Sequence, residues 1–234
     1  MPFIRQKLRS SPTSQATGYR ARLKFGTLLT PRRIRLALLS LLGIFAVGIL
    51  SFTIFAAWVS RDLPDPNSLG TRAVPQSTKI YDRTGTHLLR EIHGDEKRTL
   101  VTIDQIPKIM QHATIAIEDK GFYEHHGIYW RGLVRAVIMS ILKRQRIQGT
   151  STLTQQFIKN AIFNNERSSI RKAKEFILAL QLERTYNKDQ ILQMYLNETP
   201  YGGQNYGIFS AAKTYFNKTP KDLTLGEAAY LSGL

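Results

Sequence analysis

The feature that most constrains this chain is an uncharged, largely apolar segment of 25 residues, 36–60. As a helix it would be ~37 Å long at ~1.5 Å per residue, which is enough to cross a hydrocarbon layer of ~30 Å. A buried core helix would be shorter, and the apolar part of a cleaved signal peptide has only about 7–15 residues. The sequence therefore predicts a transmembrane signal anchor over residues 36–60.

Charge is distributed unevenly around this anchor. Residues 1–35 contain nine lysines and arginines and no acid, within a chain of 234 residues whose net charge is +16. The positive-inside rule places this basic tail in the cytoplasm and the chain after Arg61 outside. We therefore expect a single-pass protein of the inner (cytoplasmic) membrane with an extracytoplasmic domain. Topology and anionic lipid account for the basic excess, so no nucleic acid partner is expected.

The rest of the chain predicts a mainly α domain with a small β annex. Cysteine is absent, which excludes a disulfide framework, a thiolate zinc site and a cysteine nucleophile. Residues 61–77 contain three prolines and predict a linker to a domain over 78–234. The β-like runs are 78–82, 87–92 and 98–103, with a hairpin turn at 83–86. The predicted helices are 105–117, 130–144, 151–163, 169–185, 188–197, 206–215 and 225–233.

An acidic pair, Glu118 and Asp119, follows the apolar run 113–117 and precedes aromatic residues. A carboxylate at the end of a buried helix is poorly hydrated, which suits a general base or acid. An exposed acidic pair at a helix end is the alternative, and local sequence leaves it open. His125 and His126 make a poor chelate, because adjacent side chains on a loop point in different directions, so we expect no zinc site there.

Two further polar clusters admit both a functional and a plain interpretation. Hydroxyls at the start of the helix predicted at 151–163 can donate to an anion, or can simply cap an amphipathic helix. Glu175 has two bases one turn back, Arg171 and Lys172, with Arg167 nearby. This cluster is either a surface ion pair worth well under ~1 kcal/mol or a carboxylate in a phosphate-binding basic site.

The segment 133–142 is strongly apolar and is followed by basic residues at 143–146. It is too short to span a bilayer. It predicts either an apolar patch that dips into the headgroup region or a core helix with a basic C-terminal end.

Taken in chain order, these segments resemble the five signatures of the peptidoglycan glycosyltransferases, the family that polymerises lipid II. The signatures are carried by Glu118-Asp119 with Phe122, His125 and Gly127; by 151–156 with Lys159 and Asn160; by Arg171, Lys172 and Glu175 with Glu183; by 191–197 with Gly202; and by 206–216 with 225–228. The stretch 77–85 is similar to that of class A penicillin-binding proteins rather than monofunctional enzymes. The resemblance implies a lysozyme-like, mainly α fold.

The resemblance also implies a reaction and residue roles. Lipid II would be joined to a growing lipid-linked glycan with inversion and release of undecaprenyl pyrophosphate, with Glu118 as the catalytic base for the acceptor hydroxyl. Glu175, the second catalytic residue, would organise nearby bases or hold Mg²⁺ or Mn²⁺ at the pyrophosphate; no organic cofactor is expected. The implied substrate-binding residues are Asp119, Phe122, His125, Ser151, Thr152, Gln155, Gln156, Lys159, Asn160, Arg167, Arg171 and Lys172. The implied partners are the lipid-linked substrates, the bilayer and cell-division or elongation proteins.

Some features depart from the family pattern. Thr150 stands where a small residue is usual, and Asn217 replaces a glycine, which asparagine can imitate in the left-handed conformation. Residue 234 falls inside the fifth signature region, so the sequence predicts a domain truncated at its C-terminal end. Three alternatives are an inactive scaffold that binds lipid II or divisome proteins, a lysozyme-type lytic hydrolase and a membrane-tethered nucleic-acid binder. The clustered bases around Glu175 argue against the hydrolase, and net charge alone supports the last.

Overall fold

A computed structural model describes residues 30–61, 63–70, 72–144, 149–163 and 168–234. Most of the tail predicted at 1–35, and also Arg167, lie outside these residues. By its internal contacts the chain divides into two units, residues 1–52 and residues 53–234. Every site discussed below lies in the second unit.

The predicted anchor is part of a longer helix, α1, which covers Pro31–Ser60. It begins five residues earlier than the uncharged segment because Pro31 suits the first helical turn and arginine is a good helix former. Its most apolar window has a mean hydropathy of 2.4, and none of that window is buried among the residues that the structure describes. By length and composition, α1 is a candidate membrane span.

The second unit is mainly α with two small β pairs, which confirms the predicted fold class. Its elements in chain order are α2 (Pro66–Leu69), β1 (Thr78–Tyr81), β2 (Leu88–Ile92), β3 (Lys97–Arg98), α3 (Lys108–Glu118), α4 (Trp130–Lys143), α5 (Leu153–Ile162), α6 (Ser169–Thr185), α7 (Lys188–Glu198), β4 (Asn205–Tyr206), α8 (Gly207–Phe216) and α9 (Leu225–Ser232), with 3-10 turns at Ile103–Gln105 and Pro220–Asp222.

The β annex contains the predicted hairpin but not the predicted third strand. β1 and β2 pair antiparallel around the turn. The strand predicted over 98–103 is wrong: the strand is only Lys97–Arg98, and it pairs parallel with β4. The backbone of Val101 instead exchanges two hydrogen bonds with the Asn197 side chain, at 2.8 and 3.0 Å. A side chain therefore satisfies the backbone groups that a sheet partner would otherwise take.

The core forms where α5 packs against α6 and α7, and where α3 packs against α9. Its centre is made of fully buried aliphatic side chains from these helices, including Leu153, Leu178, Leu182, Ile191, Leu192 and Leu196. Polar side chains fix where the helices begin. Asn187 and Thr224 both form capping boxes. Asn217 adopts the left-handed conformation expected of it, with φ +54°.

The segment predicted as a linker packs onto the domain. Leu69 is buried in the core, and the Tyr186 hydroxyl accepts a hydrogen bond from the Gly70 N–H at 3.1 Å. The Arg72 guanidinium bonds the Glu198 carboxylate and the Ala161 carbonyl. The described parts of this segment, residues 63–70 and 72–77, therefore belong to the domain rather than to a separate linker.

The exposure of helix α4 excludes one of the two interpretations of the apolar segment 133–142. None of its residues from Trp130 to Lys143 is buried. Its large apolar side chains, including Trp130, Ile141 and Leu142, are mostly exposed. The core-helix interpretation is therefore wrong.

Candidate active site

Glu118 is the last residue of α3 and lies at the edge of a cavity of about 660 Å³. One carboxylate oxygen, Oε2, accepts a 2.6 Å hydrogen bond from Nε2 of Gln156 on α5. The side chain is half-buried, so the exposed-pair interpretation is wrong for Glu118. A carboxylate held on one oxygen and open to a cavity on its other side can accept a proton from a bound hydroxyl.

Asp119 ties the end of α3 to the start of α5. Its Oδ2 accepts a hydrogen bond from the backbone N–H of Leu153 at 3.1 Å and lies 2.9 Å from Nε2 of His125. Asp119 and His125 are each only 7% exposed. The pair therefore fixes α3 against α5, the helix that also carries the partner of Glu118.

The loop after Asp119 approaches α6 closely at Gly127, where an added Cβ would lie 2.8 Å from the Ala179 carbonyl oxygen. The φ of Gly127 is +84°, and its carbonyl accepts from the Thr152 hydroxyl at 2.8 Å and from Gln155 Nε2 at 3.2 Å. Thr152 also accepts from the N–H of Gln155, so it caps α5 while bonding the loop. Thr152 and Gln155 thus position the loop and the helix.

A second cavity, of about 380 Å³, adjoins the first, since residues 149–151 line both. Its walls carry three of the predicted basic residues, Lys159, Arg171 and Lys172, together with Glu175. The two polar clusters of the sequence and the acidic pair are therefore brought into one place. A leaving anion in this cavity would lie beside a reacting group at Glu118.

Glu175 is 2% exposed, so the surface ion-pair interpretation is wrong. Lys172 Nζ lies 2.9 Å from its Oε2, and Arg171 Nε lies 3.2 Å from its Oε1. Lys172 also donates to Ser151 Oγ at 3.0 Å and to Gln155 Oε1 at 3.1 Å. Three acceptors use all three ammonium protons of Lys172. Lys172 therefore orders the cavity wall, and Glu175 is held between its two bases.

The surroundings of Glu175 do not by themselves form a divalent cation site. Mg²⁺ and Mn²⁺ prefer several oxygen ligands, whereas this carboxylate is shared by two cationic side chains. Among the described residues there is no group of three or more metal-ligating side chains.

Two tyrosines near Glu118 were not predicted as site residues. Burial raises the pKa of Tyr195 and of Tyr201, and the nearby Glu118 carboxylate raises both further. Their phenols therefore stay neutral. The only signal for them in the sequence is that Tyr195 lies within the fourth signature segment.

Of the remaining predicted residues, Phe122 lies in the core and Asn160 lies on α5. Phe122 is fully buried in the hydrophobic core, with the Lys188 ammonium 4.5 Å from its ring centroid, and it lines neither cavity. Asn160 is half-buried and lines neither cavity. Arg167 lies outside the described residues. Glu183 binds the Thr154 hydroxyl and the Lys188 ammonium, which places it in the support of α5.

The fold and the site define a mainly α domain with a half-buried carboxylate beside a cavity whose lining includes three basic side chains. The chain belongs to the transglycosylase family, whose model matches residues 85–234. It is 42% identical over 202 residues to penicillin-binding protein 1A of Rickettsia bellii, covering 85% of this chain and 25% of that protein. It is 45% identical over 158 residues to penicillin-binding protein 1F of Bacillus subtilis, covering 68% of this chain and 22% of that protein.

A third bacterium gives a similar match. Penicillin-binding protein 1A of Aquifex aeolicus is 38% identical over 196 residues, covering 84% of this chain and 27% of its own length. The chain thus spans about a quarter of the length of the curated relatives it matches. The lysozyme-like fold implied by the sequence is consistent with this family membership.

Proposed function

We propose that this domain is a peptidoglycan glycosyltransferase that extends a lipid-linked glycan with lipid II. The observation that carries the proposal is the placement of Glu118, oriented by Gln156, next to a cavity lined by Lys159, Arg171 and Lys172. Family membership over residues 85–234 gives independent support.

In the proposed reaction, the Glu118 carboxylate takes the proton from the 4-hydroxyl of the acceptor sugar. The acceptor oxygen then forms a bond to the anomeric carbon of the donor, while the bond from that carbon to the pyrophosphate oxygen breaks. Attack from the face opposite the leaving group inverts the anomeric configuration. A positioned general base contributes roughly 10²–10⁴-fold to such a rate.

The leaving undecaprenyl pyrophosphate would occupy the cavity of about 380 Å³. Fixed cations there stabilise the negative charge that develops as the bond breaks. Lys159 and Arg171 are the proposed contacts, whereas Lys172 and Glu175 hold the wall in place. A divalent cation would need pyrophosphate oxygens as further ligands, and we propose Mg²⁺ or Mn²⁺ only as part of that complex.

The polyprenyl tails of both substrates are confined to the bilayer, so the domain must work at its surface. We propose that α1 anchors the chain in the inner membrane with the basic tail inside, which the charge asymmetry supports. The exposed apolar side chains of α4, with Arg131 and Arg135 on the same helix, support contact of this helix with anionic headgroups. Cell-division or elongation proteins are further proposed partners.

Orientation is tested with reporters fused to either end of the chain. A reporter before Met1 is expected to be active only in the cytoplasm, and one after Leu234 only outside. The reverse pattern would contradict the cell-wall assignment.

Product analysis with purified chain in detergent and labelled lipid II tests the reaction itself. The expected result is glycan strands with an inverted linkage and one pyrophosphate-linked lipid released per bond formed. A lytic hydrolase would instead shorten preformed glycan, and an inactive scaffold would bind lipid II without releasing the lipid pyrophosphate. Either outcome would refute the proposal.

A further inference from the structure

Another basic cavity lies between the β1–β2 hairpin and helix α8, and none of its lining residues lines the candidate active site. Its volume is about 210 Å³. Three lysines, Lys79, Lys97 and Lys213, line it together with a single acid, Glu91. The cavity therefore has an excess of positive charge that neither the catalytic proposal nor the core packing uses.

Among the described residues, one of the three ammonium groups forms an ion pair with a carboxylate, and the other two do not. Lys97 Nζ lies 3.2 Å from a Glu91 oxygen, and both side chains are mostly buried. Lys79 Nζ lies 4.3 Å from the centroid of the Phe209 ring. Within the described residues, neither Lys79 nor Lys213 forms an ion pair with a carboxylate. Two cations thus face the cavity without a matching anion.

A buried hydroxyl in the same wall also lacks a partner. Ser210 is 1% exposed, and its Oγ has no hydrogen-bond partner in the part of the chain that the structure describes. Buried hydroxyls in proteins are nearly always hydrogen-bonded, and a serine within a helix usually bonds the carbonyl one turn back. Ser210 lines the cavity, so its donor is available to an occupant.

The electrostatics of Lys79 agree with this picture. Burial lowers the pKa of Lys79, Glu91 opposes that shift, and the neighbouring amines of Lys97 and Lys213 lower the pKa further. An ammonium group in such a place gains from a nearby anion, because the anion offsets both the lost hydration and the repulsion.

We propose that this cavity is a binding site for one phosphate group, contacted by Lys79, Lys213 and the Ser210 hydroxyl. Two uncompensated cations match the charge of a phosphate dianion, and charge-assisted bonds to phosphate are the strong ones. Sites for whole small molecules have about 300–1,000 Å³, so a cavity of about 210 Å³ admits a single group. That group is either free phosphate or the phosphomonoester headgroup of an anionic lipid.

Residue-specific acetylation of amines tests the site in the full chain, purified in neutral detergent. A short pulse of acetic anhydride at increasing inorganic phosphate is read by peptide mass spectrometry. We expect the acetylation rates of Lys79 and Lys213 to fall several-fold with one shared half-saturation concentration. The rate at Lys221, an exposed lysine outside the cavity, is expected to stay constant.

Matched variants separate binding from general charge effects. Lys213→Gln is expected to raise the half-saturation concentration at Lys79 about tenfold, and Ser210→Ala several-fold, whereas Lys221→Gln leaves it unchanged. Circular dichroism confirms that each variant is folded. Protection confined to Lys159, or equal protection at Lys221, would overturn the proposal.

A second arm of the same experiment identifies the source of the phosphate. Mixed micelles with phosphatidic acid are compared with micelles of phosphatidylcholine alone, in the absence of free phosphate. Stronger protection of Lys79 by phosphatidic acid assigns the site to a lipid headgroup. Protection by inorganic phosphate but not by phosphatidic acid assigns it to the free anion, and protection by neither would overturn the proposal.

Discussion

Replacing Gly127 by alanine tests the contact that holds the site together. The added Cβ would lie 2.8 Å from the Ala179 carbonyl oxygen and 3.0 Å from its carbon, at a residue whose φ is +84°. The left-handed conformation costs a non-glycine residue ~1–2 kcal/mol, and overpacking costs a further ~1–3 kcal/mol. Gly127→Ala should therefore lower the free energy of unfolding by about 2–5 kcal/mol.

Urea denaturation followed by circular dichroism measures this loss. Gly85→Ala is the matched control, because Gly85 has φ +73° but no atom within 4 Å of the place that an added methyl group would take. It should lose only the conformational part, ~1–2 kcal/mol. Equal losses in both variants would show that the loop does not approach α6 as closely as described, and would refute the reasoning.

Three further predictions concern single side chains. Lys159→Ala should weaken binding of a pyrophosphate ligand about tenfold in a calorimetric titration, since one charge-assisted contact is lost while the fold is unchanged. Asp119→Asn should destabilise the domain by roughly 1–3 kcal/mol in urea, because it weakens the buried acceptor of His125 and of the α5 N-terminus. Hydrogen bonds from Lys218 and from the backbone lower the pKa of Glu227, so its stabilisation is present above the ordinary carboxyl pKa and lost as pH falls through the lowered one. Glu227→Gln should therefore reduce the pH dependence of the melting temperature on the acid side.

The sequence predicted correctly those elements whose structure depends on neighbouring residues, such as helix caps and turns. The helix predicted at 169–185 agrees with Ser169–Thr185 at both ends, and the Ser168 side chain caps its start by accepting from the Ile170 N–H. The hairpin follows from its turn residues in the same way, with Asp82 accepting hydrogen bonds from the backbone N–H groups of Thr86 and His87. These features depend on contacts within a few residues.

The parts that sequence reasoning missed depend on residues far apart in the chain. The run 98–103 has strand-like composition, but the Asn197 side chain, almost a hundred residues away, takes the Val101 backbone bonds. Phe122 belongs to a signature with polar neighbours, yet it packs in the core with Lys188 of α7 over its ring. The burial of Asp119 likewise requires Leu153, which a local pattern does not reveal.

The central claim is that Glu118 accepts the proton from the attacking hydroxyl, and one variant tests it most directly. Glu118→Gln keeps the shape of the side chain and its position next to Gln156, but the amide cannot accept a proton. The expected result is a fall in the polymerisation rate of roughly 10²–10⁴-fold with lipid II binding retained, whereas Glu124→Gln, an exposed glutamate nearby, keeps the parent rate. Polymerisation by folded Glu118→Gln at near the parent rate would contradict the account.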